Sequence, residues 1–175
     1  MEDAVPDEAV RMYIDSCGML EDEGKEQMAF DTYRAVTNLY LKLERFSDAA
    51  TILLRWCLAA DKSKAIHSQC KTYLSAIIVY LYAHDIKQAE QCYNDCSQIY
   101  AFSNSDQNYC AEKLLQAYRE ADVEEIKHIA QSNSAISNLD HMIVRLARKL
   151  PTGDVNAVPS SSATEEEPLN ENDLT

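Results

Sequence analysis

Apolar residues recur along most of the chain at steps of three and four, the spacing of a helix with one buried face. The first such run predicts a helix from about Asp7 to Leu20, with Ala9, Tyr13, Cys17 and Leu20 on one face. A second covers Lys25 to Leu43, and a third Ser47 to Ala60, striped by Ala49, Ala50, Leu53, Trp56, Cys57 and Ala60. A fourth spans Ala65 to His84. The fifth, Ile86 to Tyr100, carries Ile86, Ala89, Tyr93, Cys96 and Tyr100 in register. The loop AFSNSD follows, with serines and an aspartate suited to cap the next helix. Three further helices are predicted near 106 to 120, 123 to 132 and 138 to 150.

These helices repeat. Ala49 in ERFSDAA has an equivalent forty residues earlier in PDEAVRMY (Ala9) and forty later in DIKQAEQCY (Ala89). Tyr40-Leu41 and Tyr80-Leu81 recur at the same offset, as do Cys17 and Cys57, and DVEEIKHI is a looser copy with Ile126 in the alanine position. A large apolar residue, two polar ones and then alanine, at a fixed period, marks stacked helix pairs. The alanine admits close approach of two helices, and the residue three before it closes the turn. The expected fold is all-α, a right-handed α-α superhelix of the tetratricopeptide type with longer helices, ending in a small helical bundle. Residues 1 to 150 form this domain in that reading. Serine, proline and acid without apolar spacing make 151 to 175 a disordered acidic tail.

Composition supports the helices. Three glycines and four prolines in 175 residues are too few for a hairpin-rich sheet protein, and no glycine-rich phosphate cradle occurs. The net charge is -13, and from Pro151 onward there are six acids and no Lys or Arg. Such a surface repels phosphate backbones, so nucleic acid is an unsuitable partner and a basic protein surface a suitable one. The acidic start MEDAVPDEAV lacks a signal-like apolar core, and the longest apolar run, SAIIVYLYA at 75 to 83, is too short to cross a bilayer. The expectation is a soluble cytoplasmic protein whose six cysteines (17, 57, 70, 92, 96, 110) are reduced.

Cys92, Cys96 and Cys110 could form part of a metal site, but Cys96 lies on the apolar stripe and core packing is the better reading. His84-Asp85 and Asp140-His141 resemble halves of acid-base pairs. They fit better as a turn and as the start of the last helix. That helix carries Ile136, Leu139, Met142, Ile143, Leu146, Ala147 and Leu150, with Arg145, Arg148 and Lys149 near its end, and is expected to cap the solenoid rather than lie on a membrane. Tyr73, Tyr80, Tyr82 and Tyr93 are either core or interface residues. Neither metal nor cofactor nor catalysis is expected of such a fold.

The stretches PDEAVRMY, ERFSDAA, DIKQAEQCY, AFSNSDQNYCAEKLLQAYREADVEEI and SAISNLDHMIVRLARKL together resemble the soluble N-ethylmaleimide-sensitive factor (NSF) attachment proteins, the gamma type in particular. That resemblance implies a non-enzymatic adaptor in vesicle-mediated transport and membrane fusion. Members of the family coat the SNARE bundle and recruit the hexameric disassembly ATPase. It also implies peripheral association with vesicle, Golgi and vacuole membranes through SNAREs. The family's acidic C-terminal run corresponds to Glu120, Asp122, Glu124 and Glu125, and its tail acid and penultimate leucine to Asp173 and Leu174. Complete members begin with further helices and an apolar membrane-meeting loop, so this chain is expected to represent the C-terminal part. The alternatives are a helical-repeat scaffold with another partner, in which Leu174 is dispensable, and an enzyme with a reactive cysteine or metal.

Overall fold

The computed structural model describes residues 4–157. Among them α1 is Ala4–Asp22, followed by a 3-10 turn at Glu26–Ala29 that leads into α2, Phe30–Lys42. Next come α3 (Phe46–Lys62), α4 (Ile66–Tyr82), α5 (Ile86–Ser97) and a single-turn helix α6 (Tyr100–Ser103). The chain continues with α7 (Asp106–Arg119), α8 (Val123–Ser132), the short α9 (Ser134–Ser137), α10 (His141–Ala147) and a 3-10 turn at Val155–Ala157. The described residues contain no strand, and each long helix packs on its chain neighbour. The fold is the all-α stack of helix pairs that the periodicity predicts.

Turns between the long helices occupy three residues each, and they obey one rule. Gly24, Glu44, Lys64 and His84, twenty residues apart, all adopt left-handed backbone with φ of 67°, 57°, 56° and 60°. Ala121 repeats it at φ 52°. At every one of these turns two crossed hydrogen bonds close the helix end. In the second turn Glu44 N–H donates to Leu41 O at 3.1 Å and Arg45 N–H to Tyr40 O at 2.9 Å; Ala121 N–H and Asp122 N–H do the same with Tyr118 O and Ala117 O at 3.1 and 2.9 Å. This pairing satisfies carbonyls that a helix end leaves orphaned. Glycine is the residue that adopts it without strain, and only the first turn has one.

The repeat alanines do the packing expected of them in α3 and α5. Ala49, Ala50, Ala59, Ala60 and Ala89 are all buried, and α3 and α4 form the most extensive helix contact of the chain. Ile126, in the alanine position of the looser copy, is fully buried as well. The face of α1 differs from the predicted stripe. Val10 and Cys17 are buried with Ile14 packed against them, whereas Tyr13 is exposed, because the buried face is centred one residue further along the helical wheel.

Two predicted helices have different bounds in the structure. The fifth helix ends at Ser97 and not at Tyr100, and Ile99 is extended, which lets the one-turn α6 bury Phe102 completely. The segment expected as a loop is thus helical over Ala101–Ser103. Ser105 then caps α7, its hydroxyl accepting from Asn108 N–H at 3.1 Å. The helix predicted near 138 to 150 starts only at His141 and ends at Ala147, the separate turn of α9 precedes it, and Ile136, Ile143, Leu146, Ala147 and Leu150 all reach the core.

The C-terminal segment does more than cover the last helix pair. α10 returns to pack on α4, and the single Nε–H of Arg34 on α2 is shared between the two Asp140 carboxylate oxygens, each at 3.2 Å. Packing continues past Leu150, the expected end of the helical domain. The Thr152 hydroxyl donates to Tyr82 O at 2.7 Å, and Val155 is buried. The remainder of the predicted acidic tail lies outside the described residues.

The backbone rule at the turns makes a testable pair. Adding a Cβ at Gly24 meets no atom within 4 Å, so Gly24→Ala isolates the backbone cost and should lower stability by about 1 kcal/mol. Lys64→Gly should raise it by about 0.5–1 kcal/mol. Urea unfolding at fixed pH checks both signs, and a stabilised Gly24→Ala would contradict the turn assignment.

Candidate functional site

Four of the six residues singled out from the sequence fall within one turn and the start of the helix after it. α7 is held to the rest of the fold by buried Cys110, Leu114, Leu115 and Tyr118, and α8 packs back on it through Ile126, Ile129 and Ala130. That pairing leaves the turn between them, with its left-handed Ala121, projecting into solvent. Glu120, Asp122, Glu124 and Glu125 are all exposed there. The remaining two residues, Asp173 and Leu174, lie outside the described residues.

The four carboxylates do different work. Asp122 is the N-cap of α8, its Oδ1 accepting from Glu125 N–H at 3.0 Å, which satisfies an orphan donor of the helix start. Glu120 accepts from Gln116 Nε2 at 2.5 Å. Glu124 has a side chain 89% exposed, with Lys127 Nζ 3.7 Å away. Such a pair is solvated and worth little. Both Glu124 and Glu125 sit in the first turn of α8, where the helix dipole favours negative charge. Arg119, at the end of α7, bonds Glu90 on α5 at 2.9 Å. Chemically the arrangement is an exposed negative patch at a helix start.

The other candidates resolve by burial. All six cysteines are free and buried. Burial pushes the Cys17 thiol up to about 11 and the Cys110 thiol up to about 12. It also raises Cys57 and Cys70, while hydrogen bonding with Cys92, then burial, raises Cys96. A nucleophilic thiolate requires the opposite shift. His84 is the left-handed residue of the α4–α5 turn, and Asp140 begins α10 while bonding Arg34. Tyr73, Tyr80, Tyr82 and Tyr93 are each half-buried against the core, with Tyr73 edge-on to Phe102 and Tyr82 edge-on to Phe46.

One surface feature is absent from the sequence reading. α3 and α5 flank a shallow groove whose floor is α4. Leu54, Tyr73, Tyr80 and Cys92 line a cavity of about 90 Å³ there, with Gln88, Gln91 and Asp95 at its edge. A neighbouring space of about 300 Å³ is bounded by Ser47, Tyr80, Ala83, Asp85 and Gln88. The signal was available: Tyr73 and Tyr80 are seven apart, hence on one face of α4.

Stacked helix pairs with a projecting acidic turn and cysteines packed in the core define an all-α helical-repeat protein. The family model described as "Soluble NSF attachment protein, SNAP" matches residues 1–152. The chain belongs to the soluble NSF attachment protein family. It is 60% identical over all of its 175 residues to the gamma-soluble NSF attachment protein of Arabidopsis thaliana, covering 59% of that relative. A protein of the same name from Dictyostelium discoideum is 23% identical over 164 residues, which is 94% of this chain and 50% of the relative. The chain therefore spans between half and three fifths of the length of these two relatives. Among the described residues, no helix is long and apolar enough to cross a membrane.

Because Asp122 caps α8 while Glu124 points into solvent, their removal should have unequal effects. Asp122→Ala should destabilise by about 1 kcal/mol, and Glu124→Gln by no more than a few tenths. Thermal melts followed by circular dichroism compare them directly, and equal losses would refute the division of roles.

Proposed function

We propose that this chain is a non-enzymatic adaptor in vesicle-mediated transport and membrane fusion, linking SNARE complexes to the NSF-type disassembly ATPase. Family membership and the 60% identity to a gamma-type relative support the reading. The observation that carries it to particular residues is the projecting α7–α8 turn. Glu124 and Glu125 are exposed at a helix start and fixed in orientation by the Asp122 cap and by buried Ile126 and Ile129. A basic ATPase surface meeting this patch gains from charge complementarity in encounter rate and register. Glu120 and Asp122 complete the patch, and Asp173 and Leu174 of the tail supply a second point of engagement. The helical stack is the part that faces the SNARE bundle. In this reading the protein works in the cytoplasm, at membranes that it reaches through its SNARE partners.

The test is a pull-down of the ATPase on immobilised SNARE complex, with hydrolysis recorded alongside. Glu124→Lys with Glu125→Lys should weaken recruitment at least tenfold at low ionic strength. The difference should shrink as salt rises, since exposed charges act within a Debye length. The double variant should keep its helical content, because both residues are exposed. Leu174→Ala should lose ATPase stimulation. Recruitment by the double variant equal to that of the unaltered chain at low salt would remove the α7–α8 turn from the interface.

A further inference from the structure

The C-terminal segment after α10 crosses back over seventy residues of sequence to the end of α4. A helix end leaves its last carbonyls without intrahelical partners, and here the Thr152 hydroxyl reaches them, donating to Tyr82 O at 2.7 Å and lying 3.5 Å from Leu81 O. The next residue, Gly153, adopts left-handed backbone at φ 72° and lies against the His84 ring, which a Cβ there would meet at 3.6 Å. His84 is itself the left-handed residue of the α4–α5 turn. The one left-handed non-glycine residue of this turn is therefore packed by its ring against a left-handed glycine. Val155 then enters the core, and Asp154 Oδ1 accepts from Asn156 N–H at 2.9 Å to hold the final bend.

We propose that residues 151 to 156 form a strap that locks the α4–α5 turn and fixes the base of the tail to α4. Ala83 and Asp85 of that turn also bound the groove between α3 and α5. With the strap seated, this end of the groove is rigid; with the strap released, the turn and that end of the groove loosen together. A left-handed non-glycine residue is held in place by its surroundings, which makes the His84 turn the element that responds first. The strap deepens the adaptor reading, on which it rests for the identity of whatever engages the tail. The latch itself is a property of the isolated chain and is tested without either partner.

Hydrogen exchange of the whole 175-residue chain, read amide by amide, provides that test. The probes are Ala83, His84 and Asp85, whose N–H groups donate to Val79, Leu81 and Tyr80 carbonyls; Ala121 and Asp122 of the α7–α8 turn serve as internal controls. Thr152→Val removes the hydroxyl while keeping the shape. It should speed exchange at 83 to 85 by about threefold to tenfold, the range set by loss of one hydrogen bond, and leave 121 and 122 unchanged. Thr152→Ser should restore the original rates, whereas Gly153→Ala, which strains the left-handed backbone, should behave like the valine variant. Unchanged exchange at 83 to 85 in both variants would overturn the strap. So would a uniform increase at both turns, since that is general destabilisation and not release of a local latch. Loss of ATPase recruitment in the Glu124 and Glu125 variant is a separate outcome, and either result can occur without the other.

Discussion

The whole fold depends on the burial of α4 from nearly every side. Leu74, Ser75, Ala76, Ile77, Ile78 and Val79 are six consecutive buried positions, followed by Leu81. A helix exposed on one side cannot bury six in a row, because they complete more than a full turn. The covering is supplied by α3, α5, α6, α7 and α10. In a simple solenoid each unit touches only its neighbours; here α4 also receives an element from the far end of the chain. The consequence is a single core in which the N-terminal pairs and the C-terminal bundle share a wall.

Around that helix the arrangement is held by geometry at the turns and by a few directed contacts. The left-handed turns at 24, 44, 64 and 84 impose an equal advance on each helix, and the shorter α5 with the inserted α6 breaks the rhythm before α7. Arginines bridge helices that the turns bring near. Arg55 bonds Glu21 through two nitrogens at 3.0 Å each, and Arg45 bonds Asp7 at 2.8 Å while lying over the Tyr40 ring at 4.9 Å. The Arg45 contacts are exposed enough to fix orientation rather than supply much stability. The acidic turn inherits its rigidity from this framework, because α7 is anchored on both α4 and α5. The backbone of the turn is thereby held in place while its carboxylates stay exposed to solvent.

Much of this was legible in the sequence. The forty-residue recurrence of alanine after an aromatic or aliphatic residue located the helix pairs, since close approach requires a small side chain. Ile126 shows that the same position also accepts a large residue, fully buried there. The acidic run was legible as charge, but the division of labour within it was not drawn. Asp122 followed three residues later by Glu125 is a capping pattern, and the bond to Glu125 N–H follows from it. The left-handed turns left less trace, because glutamate, lysine, histidine and alanine occupy four of them where glycine would have announced them. The run at 75 to 83 is too short to span a bilayer, and its lack of a polar face marks a helix covered on all sides. The return of α10 and of Thr152 to α4 is a contact between distant segments, and no local pattern encodes it. Asp173 and Leu174 rest on resemblance alone.

The central claim is that α4 joins the helix pairs and the C-terminal bundle into one cooperative unit. The chain contains a single tryptophan, Trp56, on α3 and stacked with Tyr33 of α2 at 6.3 Å, so its fluorescence reports on the α2–α3 packing. Ile143 is buried on α10, and Ile143→Ala should cost about 2–5 kcal/mol. Urea unfolding of this variant, followed by Trp56 fluorescence and by far-ultraviolet circular dichroism, is the direct test. The account predicts that both midpoints fall together and by the same amount, although the substitution lies far from Trp56 in sequence. A fluorescence midpoint that stays in place while the helical signal falls would show that the N-terminal pairs stand independently, and would contradict it.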